Sequence, residues 1–406
     1  MPRNPKIYPN DFSSAPEASK VISTFDSAIQ AVEINARDTS LKQAYKSRVT
    51  GQDVISVLGQ ISRQNFFRLP LQKIGGGVLT ASSLLGTAGY YTGGRDASRG
   101  SLTLNNIESL RYSNETTSLL TAKLSENRSY GSICGNASTG KIGGGTDFFG
   151  QTNSLTIDKL DYGLQTCFRI STRIPGTASD FGTNVTGGMG TTSHGLMVGV
   201  STAMVYNHAF DSISLLTTYA DYVGYSIHHG LSSRVNGYLW SRIKNALPGF
   251  DWAWASPDRR IVRASYATSA FTPSLINKNT NHDHGNHAAA NSKTNGYVMA
   301  GAVTAIWHNN WHSDDITRFN FAQEQQTLLT AKLSRKVVCM TASGSSLAAY
   351  TGGGDAFPAG STTWVGTTSI EKLTYTTESI SIIGARLIAP VSDHGTLTDY
   401  NPSWSY

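Results

Sequence analysis

The side chains best suited to chemistry lie in two short segments, and the first is rich in tryptophan. Residues 306–312 read IWHNNWH, so that two indole rings alternate with histidine and asparagine donors. Flat aromatic faces flanked by polar donors suit sugar rings, which present apolar C–H faces and a rim of hydroxyls. This pattern predicts a glycan-binding surface that comprises Trp307, His308, Trp311, His312, Trp252 and Trp254. The alternative is that these rings pack against a neighbouring repeat or a partner subunit.

The second segment is a histidine-rich stretch, NHDHGNH, at residues 281–287. His282, His284 and His287 could ligate a transition metal through neutral imidazoles if the backbone curled around the ion. A solvated polar loop, or a contact with a subunit or a glycan, explains the same residues without a metal. We therefore expect no cofactor. We place this stretch in a loop between the third and fourth strands of the fourth repeat unit, beside the tryptophan segment.

Signatures of common enzymes are absent from the sequence. It contains no Gly-x-Ser-x-Gly, no His-Glu-x-x-His and no P-loop. The three cysteines, Cys134, Cys167 and Cys339, are far apart and form no CxxC pair, which excludes a disulfide framework and a zinc knuckle. We predict that they are small buried residues within strands and that the protein is not an enzyme.

Composition indicates a β-rich protein. Of 406 residues 40 are glycine, and charged residues make up 15%, against about 25% in ordinary soluble chains. Many short strands joined by tight turns have this composition, whereas helical bundles do not. No run of apolar residues is long enough for a membrane span, and the opening residues do not resemble a secretory signal. The net charge of +6 comes from dispersed basic residues, so no nucleic-acid partner is expected.

An internal repeat dominates the sequence from about residue 75 onward. The heptapeptide LLTAKLS at residues 119–125 recurs at 328–334, and an Ile-x-x-Leu-x-Tyr pattern begins at Ile107, Ile157 and Ile370. These spacings fit a period of about 52 residues, and six such units fill residues 89–406. Each unit opens with a strand, and several of these strands end in glycines; the six are residues 89–94, 141–145, 196–199, 250–254, 296–301 and 349–353.

Six repeats of four short strands predict an all-β fold, a six-bladed β-propeller spanning residues 76–406. Small sheets that cannot bury their own faces pack side by side around an axis. The paired glycines allow the opening strand to approach its neighbours, where a Cβ would clash. Residues 78–82 resemble residues 338–343, so we expect the strand at 78–82 to complete the last blade.

Residues 1–75 differ from the repeats and predict a small α-helical segment. An N-cap motif at residues 14–17 precedes apolar residues at helical spacing. Two such helices cannot close a core alone. We therefore predict that this segment docks onto another subunit through an apolar stripe formed by Val21, Ile22, Phe25, Ile29 and Val32.

The Gly-Gly strands, the Ile-x-x-Leu-x-Tyr strands and the segment from Leu124 to Arg128 together resemble kelch-type repeats. The combination is similar to kelch-like propellers in structural proteins of tailed bacteriophages, including cyanophages. The resemblance covers residues 75–406, with units three and four departing most from the pattern. It implies a virion component such as a tail, neck or fibre protein, assembled in the host cytoplasm as a homo-oligomer and docked to other virion proteins. The alternative is a receptor-binding module that recognises a host surface glycan through the tryptophan and histidine loops.

Overall fold

The computed structural model describes residues 86–96, 98, 102–146, 154–175, 189–198, 203–216, 230–241, 260–266, 273–276, 287–301, 313–356 and 365–400. Residues 86–406 form one compact unit. The predicted N-terminal helices, with Val21, Ile22, Phe25, Ile29 and Val32, lie outside the described residues.

Six four-stranded antiparallel sheets account for most of the described residues. We number the sheets I to VI and give the strands of each from the first to the fourth position. Sheet I contains β30 (Gly395–Thr398), β1 (Ala88–Thr92), β4 (Asn106–Arg111) and β5 (Thr116–Lys123). Sheet II contains β6 (Ser132–Gly135), β7 (Thr139–Gly143), β8 (Thr156–Asp161) and β9 (Thr166–Arg173). Sheet III contains β10 (Met189–Gly190), β11 (His194–Val198), β12 (Ala203–Asn207) and β13 (Ser212–Leu216).

The other three sheets follow the same plan. Sheet IV contains β14 (Gly230–Ser232), β15 (Asn236–Ser241), β16 (Arg260–Ser265) and β17 (Pro273–Ile276). Sheet V contains β18 (Ala288–Asn291), β19 (Asn295–Met299), β20 (Asp315–Asn320) and β21 (Gln325–Lys332). Sheet VI contains β23 (Thr341–Gly344), β24 (Ala348–Gly352), β27 (Ser369–Thr374) and β28 (Ser379–Arg386).

Two small sheets extend the second strands of sheets I and VI. One joins β29 (Val391–Ser392), β2 (Arg95–Asp96) and β3 (Leu102–Thr103). The other joins β22 (Val337–Val338), β25 (Asp355–Ala356) and β26 (Val365–Gly366). The described part of the chain is therefore all-β, as the composition predicted. It contains no helix long and apolar enough to cross a membrane.

The Ile-x-x-Leu-x-Tyr pattern forms the third strand and supplies the core. In sheets I, II and VI its isoleucine and leucine are fully buried, and in sheet V isoleucine and phenylalanine take the same places. The tyrosine that follows packs between sheets. Tyr162 stacks on Tyr90 of sheet I, Tyr375 stacks on Tyr297 of sheet V, and in each stack the ring centroids are 4.9 Å apart. The repeat thus encodes both the core of each sheet and a joint to its neighbour.

Glycine in the second strand allows neighbouring sheets to approach closely. A Cβ on Gly140 would overlap Leu397 of β30 in sheet I and would lie 2.7 Å from the hydroxyl of Tyr162. A Cβ on Gly296 would similarly overlap Leu231 of sheet IV. In sheet VI the second strand carries Ala349 at this position, within a buried cluster that contains a small residue of sheet V, Ala290. A Cβ on the paired glycines Gly93 and Gly354 would lie 2.5 Å and 2.7 Å from the carbonyl oxygens of Arg128 and Val338. The predicted close approach is therefore confirmed at the paired glycines, and Gly140 and Gly296 provide it at a second position. The paired glycines that end strands β1, β7 and β24 also have positive φ angles between 62° and 99°.

Acidic residues in the turns between third and fourth strands pair with basic residues of the preceding sheet. These pairs are Lys159–Asp211, Arg263–Glu324, Arg318–Glu378 and Lys372–Glu115, with separations of 2.5–3.2 Å. The four acids adopt positive φ angles of 46–52°, which fix the turn. Between sheets I and II both partners of the pair are missing. The turn of sheet II carries Gln165 in place of the acid, and the third strand of sheet I carries Ser109 in place of the base.

The first strands of successive sheets contact one another in the order I to VI, and the first strand of sheet VI contacts that of sheet I. Sheets VI and I also share a tyrosine stack, Tyr350 on Tyr112, with ring centroids 4.9 Å apart. The interface between sheets VI and I therefore has the first-strand contact, the tyrosine stack and the acid–base pair that are also found between sheets V and VI.

The prediction that residues 78–82 complete the last sheet is wrong. All four strands of sheet VI come from residues 341–386, and the strand supplied by the distant end of the chain is β30, which pairs with β1 in sheet I. Residues 78–82 resemble residues 338–343, which overlap β23. Strand β23 is the first strand of sheet VI and not a fourth strand. In sheet I the equivalent first position is filled by β30. Residues 78–82 themselves lie outside the described residues.

Two further predictions need correction. The second strand of sheet IV is β15, at residues 236–241, and not the predicted opening strand at 250–254, which is outside the described residues. Of the cysteines, Cys134 is buried in β6 and Cys167 is half-buried in β9, but Cys339 lies in a turn between β22 and β23 with a φ of 57°. The prediction of a cysteine within a strand is therefore wrong for Cys339.

Candidate functional site

The predicted aromatic surface cannot be located in the structure. Trp307, His308, Trp311, His312, Trp252 and Trp254 all lie outside the described residues. So do His282 and His284, whereas His287 is fully buried immediately before β18. The histidine-rich stretch lies between the fourth strand of sheet IV and the first strand of sheet V, because β17 ends at Ile276 and β18 begins at Ala288. Counted from the strand that opens the repeat unit, β17 is the third strand of the fourth unit and β18 is its fourth, so the predicted position between the third and fourth strands of that unit is confirmed.

The described residues contain another group with chemical potential, which we call the Arg95 cluster: Arg95, Cys339, Asp355 and Asp393. Arg95 and Asp355 occupy equivalent positions, since each follows two glycines with positive φ at the end of the second strand of its sheet. Cys339 and Asp393 are also equivalent, since each precedes the first strand of its sheet by two residues. The cluster is thus formed where sheets VI and I meet.

Backbone hydrogen bonds hold the two turn residues in place. Tyr130 occupies the same position before sheet II as Cys339 and Asp393 do before sheets VI and I, and all three have φ angles between 54° and 57°. The Tyr130 amide donates to the Asp393 carbonyl at 2.8 Å, and the Asp393 amide donates to the Cys339 carbonyl at 3.0 Å. This left-handed backbone, rarely adopted by residues other than glycine, links three consecutive sheets and fixes where the cluster's side chains begin.

One guanidinium bridges two buried carboxylates. Arg95 Nη2 lies 3.0 Å from Asp355 Oδ2 and 3.0 Å from Asp393 Oδ2. It also donates to the hydroxyl of Ser392 at 3.3 Å. The aspartate side chains are 5% and 0% exposed, whereas that of Arg95 is 31% exposed. Solvent therefore reaches the cluster from the side of the arginine.

Burial dominates the electrostatics of the cluster. It raises the pKa of Asp355 to about 6, an effect that the neighbouring Asp393 strengthens and Arg95 opposes. Burial also raises the pKa of Asp393, against the opposing effects of Arg95, Cys339 and Tyr130. The pKa of the Cys339 thiol is raised by burial and then by the two aspartates. Two carboxylates and one guanidinium leave an excess of one negative charge when both acids are ionised.

Each aspartate has one oxygen that the arginine does not use. Oδ1 of Asp355 and Oδ1 of Asp393 have no hydrogen-bond partner in the described part of the chain. A buried carboxylate oxygen without a donor is uncommon, because it has lost its hydration without compensation. The sulfur of Cys339 and one oxygen of each carboxylate lie within 4.8 Å of one another. The cluster therefore offers anionic acceptors to a cation or a proton.

Sequence reasoning missed this cluster, although the repeat carried a signal. The signal lies in the residue that directly follows the paired glycines of the opening strands, which is Arg95 in the first unit and Asp355 in the last. When the first and last units are aligned on their paired glycines, Arg95 and Asp355 fall at the same repeat position and carry opposite charges. No protein-family model matches the chain, and no curated protein matches it significantly.

Proposed function

We propose that residues 86–406 form a closed six-bladed β-propeller in which each of sheets I to VI is one kelch-like blade. The joint between sheets VI and I carries this proposal. In sheets I, II and VI a carboxylate near the start of the third strand accepts a backbone N–H at the end of the preceding sheet. The pairs are Ser125 to Asp158 at 3.2 Å, Ser334 to Glu371 at 2.8 Å and Ile388 to Glu108 at 2.9 Å. The last pair joins sheet VI to sheet I. In an open row of six sheets these two would lie at opposite ends and could not form this hydrogen bond.

Closure of this kind favours a rigid module for spacing or display. A strand from one end of the chain completes the sheet formed by the other end, so separating sheets VI and I requires breaking a β-ladder as well as a packed interface. We propose that this module belongs to the virion of a tailed phage, as a tail, neck or fibre component. In this proposal residues 1–75 dock it to other virion proteins and the protein is a homo-oligomer. The repeat motifs that resemble kelch-like phage propellers support this assignment.

Particle analysis tests the virion assignment, and imaging of the purified protein tests the ring. We expect the protein to co-purify with intact particles through a density gradient, and deletion of residues 1–70 to abolish its incorporation while leaving a soluble propeller. A protein found only in the unassembled fraction would contradict the virion assignment. Class averages of the purified full chain should show a ring of six lobes; seven lobes or an open arc would contradict the propeller.

A second candidate function is recognition of a host surface glycan, and one register observation favours it. Ala288, which follows the histidine-rich stretch, pairs directly with Met299. The tryptophan segment at 306–312 follows Met299 in the chain. The two segments therefore leave sheet V from adjacent strand ends, and together they carry the aromatic, amide and imidazole groups that suit sugar rings.

A glycan array probed with the full chain tests this second function. We expect specific hits that are lost when Trp307 and Trp311 are both replaced by alanine. Phe210, which is 79% exposed in the turn of sheet III, provides the matched control, and Phe210→Ala should leave the hits unchanged. An array without hits, or equal loss in both variants, would contradict glycan recognition and leave the virion assignment intact.

A further inference from the structure

We propose that Cys339, Asp355 and Asp393 form a binding site for a divalent transition-metal ion of the zinc class. The sulfur and one oxygen of each carboxylate lie within 4.8 Å of one another. Zinc binds thiolate at about 2.3 Å and carboxylate oxygen at about 2.0–2.2 Å, so the ligand atoms of a tetrahedral site lie about 3.4–3.6 Å apart. The three side chains therefore need to draw together by up to about 1 Å to surround the ion.

The unpartnered carboxylate oxygens are the independent observation that points to a ligand. Asp355 and Asp393 each use Oδ2 for Arg95, and each leaves Oδ1 without a partner in the described residues. Both side chains are more than nine-tenths buried. A bound cation would satisfy both of these oxygens, and Arg95 could keep its contacts with the other two.

Charge and donor type select the ion. With both acids ionised, the aspartates and Arg95 carry one excess negative charge. A dication that displaces the thiol proton of Cys339 to solvent brings the cluster to neutrality, because the ion adds two positive charges and the thiolate one negative charge. A thiolate favours zinc or a similar transition metal over calcium and magnesium, which prefer all-oxygen sites. Three protein ligands leave the fourth position of a tetrahedral zinc site to water.

Cobalt substitution tests the site in the full chain without a mutation at the cluster. Co²⁺ added to metal-stripped protein should give a thiolate-to-cobalt charge-transfer absorption that saturates at one ion per chain, with release of about one proton. Zn²⁺ should displace the Co²⁺ and abolish the absorption. Absence of the absorption in the unmodified chain would overturn the proposal, whatever any variant does.

Variants then assign the ligands. Asp355→Asn and Cys339→Ser should each weaken Zn²⁺ binding by more than about tenfold, with folding checked by circular dichroism. Cys167→Ser, which removes a half-buried thiol in β9, should change nothing. A paired change of His282 and His284 to alanine should also leave binding intact. If that histidine variant loses the metal, or if the two cluster variants keep it, the assignment is wrong.

Discussion

Crowding at Gly140 provides a direct test of where the C-terminal strand lies. Gly140 is in β7 of sheet II, and an ideal Cβ there would overlap one methyl carbon of Leu397 and lie 2.9 Å from the other. Carbon atoms pack favourably at about 3.5–4.0 Å. Leu397 belongs to β30, pairs with Tyr90 and is 4% exposed. Gly140→Ala should therefore displace the buried Leu397 side chain and strain the packing of β30 against sheet II.

The size of the effect follows from the geometry. Overpacking of a core by one methyl group costs about 1–3 kcal/mol, and Leu397→Ala alone should cost about 2–5 kcal/mol through lost burial and a cavity. Because Leu397→Ala removes the atoms that the new methyl group would overlap, the double variant should cost less than the sum by about 1–2 kcal/mol, within the range known for contacting residues. The hydroxyl of Tyr162, 2.7 Å from the Cβ position, remains crowded in the double variant and keeps the rescue incomplete.

Urea-induced unfolding, followed by circular dichroism, would give the free energies of unfolding for the two single variants and the double variant. Gly384→Ala in β28 is the control, since no heavy atom lies within 4 Å of its Cβ position. That change should be neutral or stabilise by up to about 1 kcal/mol, because alanine restricts the unfolded chain. Additive losses within about 0.5 kcal/mol, or a loss in the control equal to that of Gly140→Ala, would refute the placement of β30 against sheet II.

Two other predictions concern charge. Arg128 donates to Asp158 at 2.8 Å, and both side chains are at most 1% exposed; Arg128→Met should cost about 3–5 kcal/mol because a buried carboxylate loses its partner. At the more exposed Lys372–Glu115 pair, Lys372→Met should cost about 1 kcal/mol or less, and equal losses in urea unfolding would contradict this argument. Burial lowers the pKa of His208 to about 2. Below pH about 6.5 this histidine is protonated in the unfolded chain but stays neutral in the folded chain. The free energy of unfolding should therefore fall as the pH is lowered from about 6.5 to 2, by up to about 1.4 kcal/mol per pH unit. Urea midpoints measured across this range should show a weaker dependence in His208→Phe, and an unchanged slope would show that His208 is not the cause.

Local periodicity was sufficient to predict what each repeat unit does by itself. Isoleucine and leucine three residues apart form the buried side of the third strand, as at Ile107 and Leu110. The tyrosine two positions later and the glycines of the second strand mark the contacts between sheets. These features could be read from sequence because they depend on strand alternation and on close backbone approach, both of which act over a few residues. In sheet IV, where the pattern is degenerate, the same reasoning selected residues 250–254 instead of β15.

Tertiary structure decided which segments meet across the chain. Residues 78–82 resemble the segment at 338–343, but this resemblance alone does not determine which strand pairs with β1. Ladder hydrogen bonds between residues about 300 positions apart settle the choice in favour of β30. The Arg95 cluster has the same origin, because Arg95 and Asp355 are 260 residues apart and come together only where sheets VI and I pack. A repeat specifies equivalent positions, but only the arrangement of the sheets determines which equivalent positions become neighbours.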